Sequence, residues 1–213
     1  MSAGTRVLAI GFLVVVAGGI GAGAGQQASQ PSTPKTLFER YTQPIDLYKS
    51  GLGTFTRPIS SSNKEAQAFS DQGFQMMYSF AKPEAIRSFR EAWKRDPECA
   101  ICYWGEAWAW GSYLNSAMNA EEAPHAYAAI QKAIGLKGKA SAKERALIDA
   151  LAERYVEKFD PEKRVDQDKA YAEAIGNVAA SYPNDLDIAT LHADALFLLE
   201  PRRGSRGIKS ERV

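Results

Sequence analysis

The chain has 213 residues, enough for one or two domains with a real core. Lys and Arg number 26 against 25 Asp and Glu, so the net charge is +1. No excess of cations exists to displace phosphate counterions, which argues against nucleic acid as a bulk electrostatic partner.

The first 24 residues have the layout of a secretory signal peptide: one early cation, Arg6, an apolar run from Val7 to Ala17, then small residues with Ala22 and Ala24 in an Ala-x-Ala pattern. The apolar run is shorter than the roughly 20 residues that span a bilayer. An uncleaved anchor helix is the competing reading. Export to the periplasm or beyond implies a compartment where disulfides persist, and no membrane contact once the signal is removed. Residues 25–36, "GQQASQPSTPKT", read as a disordered linker. Residues 37–61 mix aromatics with prolines and glycines, and are expected to lie over the domain as a short helix or extended segment.

From Ser62 the period becomes helical. Ser62 and Glu65 have capping-box spacing, and Phe69, Gly73, Met76, Met77 and Phe80 follow at helical intervals. Pro83 breaks the run and suits the first turn of a second helix, whose buried face is Ala85, Phe89 and Ala92, and which Asp96-Pro97 ends. The pattern then recurs 34 residues on: Phe69 maps to Tyr103, Gly73 to Ala107 and Met76 to Trp110. The second-helix positions reappear as Ala126, Ile130 and Ala133, after an inserted "GSYLNSAMNAEEAPH". A third hairpin opens with the Ser141/Glu144 capping box, passes a long segment around "DPEKRVDQD", and closes with Tyr171, Ile175 and Val178 before Pro183. "LDIATLHADALFLLEP" reads as the first helix of a fourth unit.

A helix-turn-helix unit of about 34 residues carrying these residues resembles the tetratricopeptide repeats. The first copy departs from that pattern at Gln72, where the motif prefers Leu, and the second has Gly138 in place of its closing proline. The resemblance covers residues 62–200, divided 62–99, 100–139, 140–184 and a half repeat 185–200. It is to the secreted bacterial subset of the family. It implies an all-α, tetratricopeptide-type helical hairpin solenoid of about three and a half repeats, in which the first helix of each hairpin lines a concave surface.

Both cysteines and three of the four tryptophans fall in "DPECAICYWGEAWAW". Cys99 and Cys102 lack the histidine of a c-type haem signature, since Tyr103 follows. With only two histidines, His125 and His192, far apart in sequence, no metal site is expected. A local disulfide or two buried thiols is the leading reading, and a thiol–disulfide redox pair the alternative. Trp110 repeats Met76 and is expected in the core. Trp104 and Trp108 share a helix face, and with Phe74, Met77 and Tyr78 they form a candidate aromatic groove for a protein or peptide. The competing reading packs these rings against residues 25–61 or an unseen part of the protein. Neither histidine has a nucleophile in a readable arrangement, so no catalytic residue, no cofactor and no enzymatic activity are expected.

Residues 201–213 form a basic tail after a helix without its partner. Leu196, Phe197, Leu198 or Leu199 would then be partly uncovered. The chain reads as a truncated product of a longer repeat protein, or as one completed by self-association, unless the tail folds back over that face. The functional expectation is an exported scaffold for protein or peptide binding. A periplasmic thiol-disulfide protein, or the accessory domain of an enzyme using Cys99 and Cys102, is the alternative.

Overall fold

The computed structural model describes Met1 and residues 36–114 and 116–200. The signal-peptide, linker (but for Thr36) and basic-tail readings lie outside these. Among the described residues the chain is helical and has no strand, only an isolated bridge between Tyr113 and Ser116. The helices belong to one unit, Pro34–Val213. They are α1 (Leu37–Thr42), α2 (Lys64–Tyr78), α3 (Lys82–Arg95), α4 (Ala100–Trp110), α5 (Ala123–Leu136), α6 (Ala142–Ala152), α7 (Arg164–Ser181) and α8 (Leu186–Phe197).

Local chemistry sets the boundaries. α1 begins in a capping box of Thr36 and Glu39, and α6 in the expected one of Ser141 and Glu144. The box read at Ser62 and Glu65 does not form. Asn63 caps α2 instead, its side chain accepting from the Glu65 and Ala66 amides. Pro83 and Pro124 stand in the first turns of α3 and α5, where no amide hydrogen is needed. α7 starts at Arg164, so "VDQD" is helical and the segment before it is shorter than expected.

α2 ends in a Schellman arrangement: the Ala81 amide donates to the Met76 carbonyl and the Phe80 amide to that of Met77. Phe80 holds the left-handed position with φ of 62°. Glycine is the usual occupant, because a side chain there crowds the backbone.

Each helix from α2 to α8 packs on the next, and α2, α4 and α6 also touch in series. All the repeat positions read from the sequence are buried: Phe69, Gly73 and Met76; Ala85, Phe89 and Ala92; Tyr103, Ala107 and Trp110; Ala126, Ile130 and Ala133; Tyr171, Ile175 and Val178. Gly73 and Gly105 flank the Phe89 ring. A Cβ at Gly73 would lie 2.8 Å from that ring, and one at Gly105 2.4 Å. All eleven residues of α4 are buried, as expected of a helix that is apolar on nearly every side.

Residues 37–61 do pack on the domain. Arg87 of α3 donates to the Gln43 and Pro44 carbonyls. Gln72 is buried, donates to the Asp46 carbonyl and the Ser88 hydroxyl, and accepts from the Tyr48 amide. The Gln72 side-chain amide thus holds the preceding segment.

Candidate functional site

The five residues read as an aromatic groove do not form one surface. Phe74 and Trp104 are fully buried. α6 closes over Trp104, whose indole Nε1 donates to the Leu147 carbonyl at 2.9 Å. Phe74 sits against Phe89, Trp104 and Trp108 on one side and Phe55 on the other. The competing reading, rings packed against the preceding segment, holds for Phe74 through Phe55; that α6 covers Trp104 was not readable, because helical period fixes which face a ring is on, not what arrives to cover it.

Met77, Tyr78 and Trp108 do come together. They line a cavity of about 400 Å³ with Phe80, Tyr113, Leu114, Thr190, Leu191, Ala193, Asp194 and Phe197. The last turn of α2 supplies one wall, the end of α4 and the following loop a second, and α8 the third. The walls are largely apolar, five of the eleven lining residues being aromatic. Phe80 and Phe197 are exposed at 51% and 42%, so the opening presents rings to solvent. The Tyr78 hydroxyl is buried with no hydrogen-bond partner. Burial, and then the nearby Asp187 carboxylate, push its pKa well above the ordinary tyrosine value.

Phe80, Tyr113, Leu114 and the α8 residues are not in the groove read from sequence. One signal pointed to Tyr113 and Leu114: the inserted segment after Trp110 has no counterpart in the first hairpin. Phe80 was read on the helical period, but it lies past the end of α2 in the left-handed conformation.

Buried charges hold that insertion in place. Lys82 donates to the Gly111 carbonyl at 3.0 Å and to Glu122 at 2.7 Å, tying the two ends of the loop together. Burial lowers the Lys82 pKa, against the opposing pull of its Glu122 partner. Arg154, fully buried, donates to the Ser112 carbonyl and to Asp168, which Arg164 also binds at 2.6 Å. The Tyr155 hydroxyl donates to the Ala107 carbonyl. These groups fix the loop that carries Tyr113 and Leu114.

Cys99 and Cys102 form a disulfide across the start of α4, and both are buried, at 1% and 0% exposure. His125 stacks on Phe38 (4.2 Å) and lies tilted against Trp110 (4.9 Å), and His192 lies against Gly176 of α7. Among the described residues no group of three or more His, Cys, Asp or Glu could hold a metal ion, and no helix is long and apolar enough to cross a membrane. Comparison with protein-family models, curated proteins and solved structures finds no match for this chain.

Proposed function

We propose that this chain is an exported scaffold of tetratricopeptide type, about three and a half helical hairpins long, that binds a protein or peptide by taking an apolar side chain into the cavity between α2, α4 and α8. The cavity carries this reading. It is large enough for one or two bulky side chains, its walls are fixed by buried ion pairs, and its rim is aromatic. The repeat-type reading is supported by the burial of the three pairs read at the 34-residue shift, Phe69 and Tyr103, Gly73 and Ala107, Met76 and Trp110. Export is supported by the layout of residues 1–24 and by the Cys99–Cys102 bridge, which suits an oxidising compartment.

Thiol–disulfide exchange is the weaker reading. An attacking thiolate must reach a sulfur, and both sulfurs lie under the α4 packing. The test is an array of decapeptides differing only at a central Phe, Leu, Lys or Glu. Retention of the Phe and Leu peptides, reduced at least tenfold in Phe197→Ser with unchanged circular dichroism, is the expected result. Equal retention of all four, or no effect of Phe197→Ser, removes the cavity as the binding site.

A further inference from the structure

A second face of α2 is already bonded to peptide backbone. Gln67, Asp71 and Gln75 stand four residues apart and share one side of the helix. That side meets residues 55–59, which run without turn or bend, Pro58 favouring an extended Arg57 before it. The Gln67 amide donates to the Arg57 carbonyl at 2.8 Å and accepts from the Ile59 amide at 3.1 Å, as a residue of a neighbouring strand would. Asp71 accepts from the Arg57 amide at 2.9 Å and from the Thr56 hydroxyl at 2.8 Å. Gln75 donates to the Phe55 carbonyl at 3.0 Å. Four of these five bonds reach main-chain atoms, so they fit an extended chain of almost any sequence.

Side-chain selectivity enters at two places. The Phe55 ring lies 6.1 Å from Phe74 and 5.6 Å from Tyr78. The Arg57 guanidinium lies 5.3 Å from the centre of the Phe74 ring. The fit is incomplete. Arg57 is only 5% exposed, yet both its Nη atoms lack a hydrogen-bond partner, as do Ser70 Oγ and Gln75 Oε1 on α2. Missing hydrogen bonds weaken the hold of this segment relative to one that would make them, while the Asp185 and Asp187 carboxylates attract the Arg57 charge and favour a basic residue at this place.

We infer that the Gln67–Asp71–Gln75 face of α2 is a docking surface for an extended peptide, occupied in cis by residues 55–59 as a built-in ligand. The partner is an extended segment with an aromatic and a basic residue two apart, which displaces them. This rests on the peptide-scaffold reading above and adds the partner's chemistry. The two surfaces are continuous, since Phe55 touches Tyr78 and Tyr78 lines the cavity. A short tether gives the resident segment an effective concentration of about 1 mM, so a free peptide of equal intrinsic affinity at about 10 µM fills roughly 1% of the face. Weakening the resident segment exposes the surface.

The probe is a labelled decapeptide with the sequence of residues 52–61, followed by fluorescence anisotropy. It is titrated into the full chain, into Phe55→Ala/Arg57→Ala, and into that variant with Asp71→Ala added. Binding at least tenfold tighter to the double variant than to the unaltered chain, lost again on adding Asp71→Ala, is expected. In the unaltered chain, the Arg57 and Ile59 amides should exchange hydrogen far faster than the Ala107 amide in α4. The inference is overturned if the double variant gains no affinity, if it loses helical circular dichroism, or if those two amides exchange only on global unfolding. In each case residues 55–59 are core, not ligand. Failure here with selective capture of apolar decapeptides leaves the cavity reading standing. Probe binding without that selectivity removes the cavity and keeps this face.

Discussion

Phe89 shows how narrowly single residues are fitted. Its ring lies between Gly73 and Gly105, and a Cβ at Gly105 would come within 2.4 Å of it. Gly105→Ala is expected to destabilise by about 1–3 kcal/mol through overpacking, read as a lower denaturant midpoint with unchanged slope. Gly73 was legible as a close-approach site because it sits at a repeat position. Gly105 was not, since the 34-residue shift maps it to Asp71, a polar residue that faces the 55–59 segment. His125 carries a second residue-scale expectation. Burial against the rings of Phe38 and Trp110 lowers its pKa. Its folded value is then below its unfolded value, so the unfolded chain binds the proton more tightly. Its contribution is full above about pH 6.5, the unfolded value, and is lost as pH falls through the folded one. Melting temperatures between pH 8 and 5 should fall more steeply for the unaltered chain than for His125→Phe, which keeps the stack without the titration.

At the scale of helices and loops, the small and large apolar residues read on α3, α5 and α7 are all buried, because at helical spacing they have one use, packing against a neighbour; the buried Lys82, Glu91 and Arg164 on the same helices were not read. The face of α4 was misread. Trp104 and Trp108 share a side, but α6 covers the first and leaves the second to line a cavity. How far successive hairpins curl toward each other depends on summed contacts across helices, not on any one helix's period. The insertion after Trp110 was visible as extra sequence, yet its role as a wall depends on Lys82, Glu122 and Arg154, which are far apart along the chain. Gln72 supplies the test at this scale. Gln72→Leu puts an apolar residue at this buried position, but removes bonds to Asp46, Tyr48 and Ser88. It is expected to cost about 1–2 kcal/mol. Hydrogen exchange should show the loss concentrated in residues 44–50. A gain in stability would mean that these bonds contribute nothing.

For the molecule as a whole, the Cys99–Cys102 bridge closes a loop of sequence separation three. Chain-entropy reasoning gives such a short loop on the order of 2 kcal/mol. Reduction is expected to lower the melting temperature by about 4–8 °C without loss of helix, and to need partial denaturation before the buried sulfurs react. Rapid reduction of the native chain by glutathione would contradict the burial. α8 bears the most exposed large side chain of the helices, Leu186 at 81%, and of the stretch expected to be partly uncovered, Leu196 to Leu199, Phe197 is exposed at 42%.

The Ser60 amide donates to Glu144, and its hydroxyl accepts from the Ser141 amide, joining positions more than eighty residues apart. In a plain row of hairpins each unit leans only on its neighbours, and a free end can peel away while the rest stays intact. Here the stretch ahead of the first hairpin acts as a hasp onto the third. Unzipping from the front must break that fastening first, and folding must bring two distant points together before the row is locked, which slows assembly relative to a purely local stack.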